Sequence, residues 1–343
     1  MLIELAIAGV LLLLPLIAWK IGPLHTAVDL RDRMLLIVGW AGVGLTLWME
    51  PGLGLLFSLA MFRWHDGSGA PGVVMFAAAA LIYAGLLYGP EPTGPAALAA
   101  IVAGAMGQAL WAAWDLCWRA MYRQGLGLHA AREAARASMG NRVIVAAYCA
   151  FAAPLAPVWA LPVLGVGLLA TNSYLGFLAA FIGLCLAHPA WTPSLLAVSL
   201  LAWPAVAYWR GNPIDSWRGR LDTWRFSLAA MWHAPWPVKL CGHGHGSFPR
   251  AALWWSARGW TRQCYRQAHN DLVQVFFECG LIGVFAVGLW LGSLSRGLEL
   301  GDPLTAALAS ALVSATANFP FYLPQTAIPV LCVAALLARK IVS

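Results

Sequence analysis

Charged residues are scarce in this chain. Asp, Glu, Lys and Arg make up 10% of its 343 residues, against 61% hydrophobic. A water-soluble domain carries about a quarter charged residues, so this deficit excludes an ordinary soluble protein. Acidic residues are scarcer than basic ones, 14 against 21, for a formal net charge of +7. Strands that alternate apolar and polar are missing, and the apolar runs are continuous, which excludes a β-barrel. There is no internal repeat and no segment that would form a soluble domain. The first apolar run, Leu2 to Trp19, lacks a positive leading segment and a small-residue cleavage site, so it reads as a retained helix and not a signal peptide. What remains is an all-α polytopic membrane protein.

Apolar runs place helices at about 2–19, 34–48, 52–64, 72–88, 94–116, 142–156, 158–171, 174–189, 193–209, 271–294, 303–317 and 325–340. Several fall short of the ~20 residues of a straight span. Glu50-Pro51 splits 34–64, and Pro154, Pro157 and Pro162 split 142–171, so either pair reads as one long segment or as two. The expectation is a single membrane domain, 1–343, with 11 or 12 spans and one large polar excursion at 210–270.

Positive charge is concentrated. Residues 209–270 hold nine Lys/Arg and residues 118–142 hold five Arg, together 14 of the 21 cations. One reading is topogenic charge with headgroup anchoring. The other is a basic vestibule for an anionic substrate, because the arginine fork matches phosphate oxygens.

Within the excursion, Trp217, Leu221, Trp224, Leu228 and Met231 recur at helical spacing. Asp215 or Ser216 is a candidate cap for that helix. Eight of the chain's 19 Trp lie between 209 and 260. Trp favours the membrane interface, so a helix lying flat at that interface is expected. The stretch "CGHGHGSF", 241–248, permits unusual backbone conformations. Its spacing fits no standard zinc pattern, so no metal and no cofactor is expected, and a tight turn is. Cys241 and Cys264 share the excursion and would pair in an oxidising compartment.

The stretch "AHNDLVQVFFECGLIG", 268–283, is apolar enough for a bilayer yet carries polar groups. Asn270, Gln274 and Glu278 are four apart and form a stripe two turns long. Such a stripe is expected to face the bundle interior or a water-filled cavity. His269 sits at its mouth, at a helix N-terminus, which favours anions.

These residues carry a resemblance. "RLDTWRFSLAAMWHAPWPVKLCGHGHGSF" followed by "AHNDLVQVFFECGLIG" resembles the signature region of the O-antigen ligase and polymerase superfamily. The matching positions are Arg220, Trp224, Gly242, Gly244, Phe248, His269, Asn270, Gln274, Glu278, Gly280 and Gly283. "MGNRVIVAAYCAFAAP", 139–154, is similar to a second family pattern at a helix start. The chain departs from the family at "ATNSYLGFLAAF", 170–181, which has no Arg where relatives have an "SRG" step.

The resemblance implies a metal-independent, inverting membrane glycosyltransferase in the bacterial inner membrane. Both basic segments would then face the periplasm. The implied donor is a saccharide on undecaprenyl diphosphate; the acceptor would be a saccharide, lipid A-core or a protein. The bilayer is the other partner, and no nucleic acid is expected. Arg220 is expected to hold the leaving diphosphate, with Arg218, Arg225, Arg266 and Arg142 as auxiliaries, Arg142 standing in for the missing Arg. His269 is expected to act as a general base with a pKa near working pH, or to orient the acceptor hydroxyl. Asn270, Gln274, Glu278, Trp224, Gly242 and Gly244 are expected to support the site. A flippase for lipid-linked saccharide, or a non-catalytic relative lacking the usual Arg, are the alternatives.

Overall fold

The computed structural model describes residues 93–117, 142–198, 214–244, 246–261, 265, 267–318, 320–322 and 324–342. Among these the chain is helical, with no strand. The expected helices at 2–19, 34–48, 52–64 and 72–88, most of 193–209, and the basic residues 118–141 lie outside the described residues. Two described helical segments, Ala97–Cys117 and Asp271–Gly297, are long and apolar enough to cross a membrane.

Helix α1 is Thr93–Trp114. The prolines settle the ambiguity at 142–171 in favour of two helices. α2, Arg142–Ala152, runs into a 3-10 turn at Ala153–Leu155 that contains Pro154. Pro157 is extended, a second turn follows at Val158–Ala160, and α3, Leu161–Thr171, carries Pro162 in its first turn. A proline has no N–H to donate and obstructs the preceding turn, so the chain breaks here and folds back. Each of these helices has 11 residues, a length of about 16 Å, well short of a ~30 Å hydrocarbon core.

Asn172 ends α3 in the left-handed conformation, φ 48°. Ser173 then caps α4, Tyr174–Ala187, by accepting from the Gly176 N–H. α2 lies at the centre of the core. Every residue from Val145 to Ala152 is buried, against α1, α3, α4 and α9 (Pro303–Ala315). Its many alanines allow that close approach.

The excursion folds as α5 (Ile214–His233), α6 (Trp236–Cys241) and α7 (Phe248–Ala257), all docked on α8 (Asp271–Leu294). α5 begins at Ile214, so Asp215 and Ser216 sit inside its first turn and do not precede it as caps. Its buried face is rotated from the apolar stripe toward Thr223, Ser227 and Met231, while Leu221, Leu228 and Trp217 stay exposed. Met231, Phe248, Trp255, Ala268 and Phe277 form a small second core, in which Phe277 of α8 packs edge-on against Phe248 and Trp255.

α8 is not one continuous helix. Gly280 has φ 68° and ψ −161° in its middle. A break strands carbonyls that have no water to turn to in a bilayer, so other protein groups must satisfy them. Here the Gly-rich turn does so: His243 N–H donates to Phe277 O and Gly244 N–H to Glu278 O, both at 2.9 Å. Gly242, with φ 72°, lies directly against the Glu278 carbonyl, and Gly280 against the Leu240 carbonyl. No side chain fits at either contact. Gly280→Ala and Gly242→Ala are therefore expected to lower thermal stability by several degrees, about 1–3 kcal/mol each from backbone strain alone. Gly288→Ala and Gly292→Ala, which point into open space, should leave stability unchanged; thermal unfolding of the four purified variants checks this.

Candidate active site

The polar stripe of α8 is spent on tying the excursion down. The Asn270 side chain caps α8 by accepting from Val273 N–H, and its amide donates to Thr316 O at 2.9 Å. The Gln274 side-chain oxygen accepts from Ala268 N–H, 2.9 Å. One Glu278 oxygen accepts from Phe248 N–H, the first residue of α7, and from the Gln274 amide. Gln274 and Glu278 are fully buried. The stripe therefore faces packed protein: Gln274 and Glu278 are buried, and each accepts a backbone N–H of the excursion, from Ala268 and Phe248. Trp224 adds to this: its indole N–H donates to Ala268 O at 2.6 Å.

These bonds fix the chain at Ala268 on one side and Asn270 on the other. His269, between them, is held in the left-handed region with φ 54°. That conformation costs a non-glycine residue about 1–3 kcal/mol and persists only where the surroundings over-determine it. The Tyr265 ring stands edge-on to the imidazole, centroids 4.6 Å apart. Burial, and then the positive charge of Arg220, push the His269 pKa down to about 3. This corrects the expectation of a base with a pKa near working pH: in the free protein the imidazole is neutral and weakly basic.

Arg220 reaches inward from α5. Its Nη1 donates to Ala317 O at 2.8 Å, and its guanidinium lies 5.5 Å from the centre of the Trp217 ring. Burial depresses its pKa; Tyr265 opposes the shift and the Arg142 charge adds to it. Arg142, at the start of α2, lies within 3.4 Å of Thr171 O through Nη1. It thus sits on the corner between α3 and α4, the very corner that lacks an arginine of its own. Two guanidinium groups are held close enough to repel, next to a neutral imidazole. Such an array has its electrostatic energy lowered by an anion.

Arg218 and Arg225 are on the exposed side of α5, away from the buried face that carries Arg220. Arg266, Cys264 and His245 lie outside the described residues. Cys241 is a free thiol. His243 stacks on Phe277 at 4.6 Å, and among the described residues no three His, Cys, Asp or Glu side chains converge as metal ligands.

Sequence reasoning missed part of the site. The segment after α9, Thr316 and Ala317, supplies the carbonyls that hold Asn270 and Arg220. Backbone acceptors leave no trace in residue type. Tyr265 and the buried Asp271 also belong here; Asp271 accepts from Phe321 N–H at 3.1 Å. Asp271 stands two residues after His269 in the sequence, and its place in an apolar helix was a usable signal.

No curated protein matches the chain significantly. The family model described as O-antigen ligase matches residues 159–288, from just before α3 to the middle of α8. That span contains Arg220, Trp224, the Gly-rich turn and His269, the residues whose geometry is given above, so the part of the chain that carries the candidate site is similar to the O-antigen ligase family.

Proposed function

We propose that this protein transfers a saccharide from undecaprenyl diphosphate to an acceptor hydroxyl at the periplasmic face of a bacterial inner membrane, by a metal-independent, inverting displacement. The observation that carries the reading is the convergence of Arg220 and Arg142 beside a neutral His269. The exposed faces of α1 and α8, with Leu110, Trp111, Phe285 and Leu289, suit contact with lipid. The whole chain is one polytopic domain in this reading, and residues 210–270 form its periplasmic loop.

The donor's diphosphate would lie between the two arginines. As the acceptor oxygen bonds to the anomeric carbon, the sugar–phosphate bond breaks and its electron pair leaves on the diphosphate. Fixed guanidinium groups stabilise that growing charge without reorganising. Arg220 is the principal clamp. Arg142 provides a second cation at the 171–173 corner, Arg218 and Arg225 attract the anionic lipid from further out, and Arg266 is a further auxiliary. His269 accepts the hydrogen bond of the acceptor hydroxyl, so orients it, and takes its proton as the oxygen–carbon bond forms.

His269 also gains basicity from the donor. Part of its pKa depression comes from the Arg220 charge. A bound diphosphate offsets that charge, so the imidazole becomes a better base only when a donor is in place. Because the neutral form is required, activity falls as pH drops through this pKa. In kcat/KM, which reports the free protein, no acid limb from His269 is expected between about pH 5 and 8. In kcat the limb should lie at higher pH. A limb near 6.5 in kcat/KM that disappears in His269→Gln would contradict this account. His269→Ala should reduce transfer by at least about 100-fold with folding intact.

Arg220→Lys keeps the charge but loses the two-pronged geometry. It should impair transfer nearly as much as Arg220→Ala. Lys239 and Arg258 lie over exposed Trp rings, and replacing either should cost little. The assay is release of free undecaprenyl diphosphate and labelled product by EDTA-treated, purified protein. Equal effects from all three cations would point to diffuse attraction in place of a clamp, and movement of lipid-linked sugar between leaflets with no free undecaprenyl diphosphate would point to a flippase.

A further inference from the structure

Three side chains near the corner after α9 carry polar atoms that are buried and make no hydrogen bond among the described residues. They are Nε of Arg220, Oδ1 of Asp271, and both Oδ1 and Nδ2 of Asn318. All three residues are anchored on the same piece of chain. Arg220 Nη1 donates to Ala317 O. The other Asp271 oxygen accepts from Phe321 N–H. Asn318 follows Ala317, its backbone N–H donates to Ser314 O at 2.9 Å, and it is 3% exposed. Asp271 is 7% exposed.

Leaving such groups unpaired is costly, and a cluster of them calls for an occupant. The mixture of types says which. A phosphate offers acceptors only; it would satisfy Arg220 Nε and Asn318 Nδ2 but leave the acceptor Asn318 Oδ1 without a donor. A hydroxyl both donates and accepts. It can give its proton to Asp271 or Asn318 Oδ1 and accept from Asn318 Nδ2 or Arg220 Nε. Asn318 also lines a small cavity with Val143, Ile144, Ala147, Pro320 and Thr326, which has room for about one water-sized group. The residue that begins this wall is the neighbour of Arg142.

We propose that Asp271 and Asn318, at the corner formed by Thr316, Ala317, Pro320 and Phe321, are the hydroxyl-binding residues for the acceptor sugar. The proposal rests on the transferase reading. It places the acceptor on the α9–α10 side of Arg220 (α10 being Pro324–Val342), between Asp271, inside residues 159–288 that match the family model, and Asn318, outside them.

The test uses purified full-length protein with an undecaprenyl-diphosphate-linked disaccharide as donor. Lipid A-core, the same lipid-linked disaccharide and a serine-containing peptide are offered separately as acceptors. Asn318→Leu replaces an unpaired amide by an apolar group of similar size, so the folded protein should be as stable or more stable. Its KM for the acceptor used by the wild type should rise about tenfold or more, because a site built for a hydroxyl discriminates by its unpaired groups. Its KM for the donor should stay within about twofold, the two substrates having separate contacts. Asp271→Asn keeps size and the bond to Phe321, and should lower acceptor kcat/KM about 100-fold with donor binding retained. Unchanged acceptor KM in both variants overturns the proposal. So does an internal water at this place, which would show as a lower melting temperature for Asn318→Leu with kcat and both KM values shifted together. A wild type that transfers to none of the acceptors overturns the transferase reading itself, and this one with it.

Discussion

The break in α8 at Gly280 is the constraint on which the rest depends. A helix interrupted inside an apolar segment must find donors for its released carbonyls. Those donors are the His243 and Gly244 N–H groups of the Gly-rich turn. The turn can approach only because positions 242 and 280 have no Cβ. Once it is seated, Phe248 follows close behind, and its N–H falls on Glu278. A buried carboxylate is expensive unless its lone pairs are used, so Glu278 in turn holds the excursion in place. The opening contradiction of the sequence, a carboxylate in an apolar helix, is resolved by a neighbour that the helix was broken to receive.

From that seam the order propagates outward. Gln274 fixes Ala268, Trp224 fixes Ala268 from the other side, and Asn270 fixes the chain to Thr316. His269 is left no freedom to relax from its left-handed conformation. Arg220 is stretched across to Ala317, and Arg142 comes from a different helix altogether. Cations and imidazole are thus carried by three separate parts of the chain. Their mutual repulsion and desolvation are costs borne by the packing around them, which suits a site whose natural occupant is an anion.

Much of this was legible in the sequence. The spacing of Asn270, Gln274 and Glu278 marked one buried face. The prolines at 154, 157 and 162 marked a break. Arg220 was singled out by its place in the signature region, and it reaches the Ala317 carbonyl. The parts that were not legible share one cause: they depend on which distant segment lies opposite. The stripe left packed interior and water-filled cavity both open, because nothing in residues 268–283 reveals that an amide from residue 248 will meet Glu278. The basicity of His269 was misjudged because burial and an arginine 49 positions away set it. Met231 was assigned to the membrane side and is a core residue of the excursion. The carbonyls of Thr316 and Ala317 belong to backbone, whose chemistry no residue name carries.

At the centre of this arrangement, Glu278 and the helix break hold the excursion, and so His269, against α8 and the segment after α9. Hydrogen exchange on Glu278→Ala tests it most directly. The amides of His243, Gly244, Phe248 and Ala268 should lose protection together, by about 10-fold or more if the clamp contributes the 1–3 kcal/mol typical of a buried hydrogen-bonded group. The lower half of α8, residues 283–294, should stay protected as in the wild type. If the excursion keeps its protection while the carboxylate is gone, or if the lower half of α8 opens along with it, the seam at Gly280 is not what positions the site.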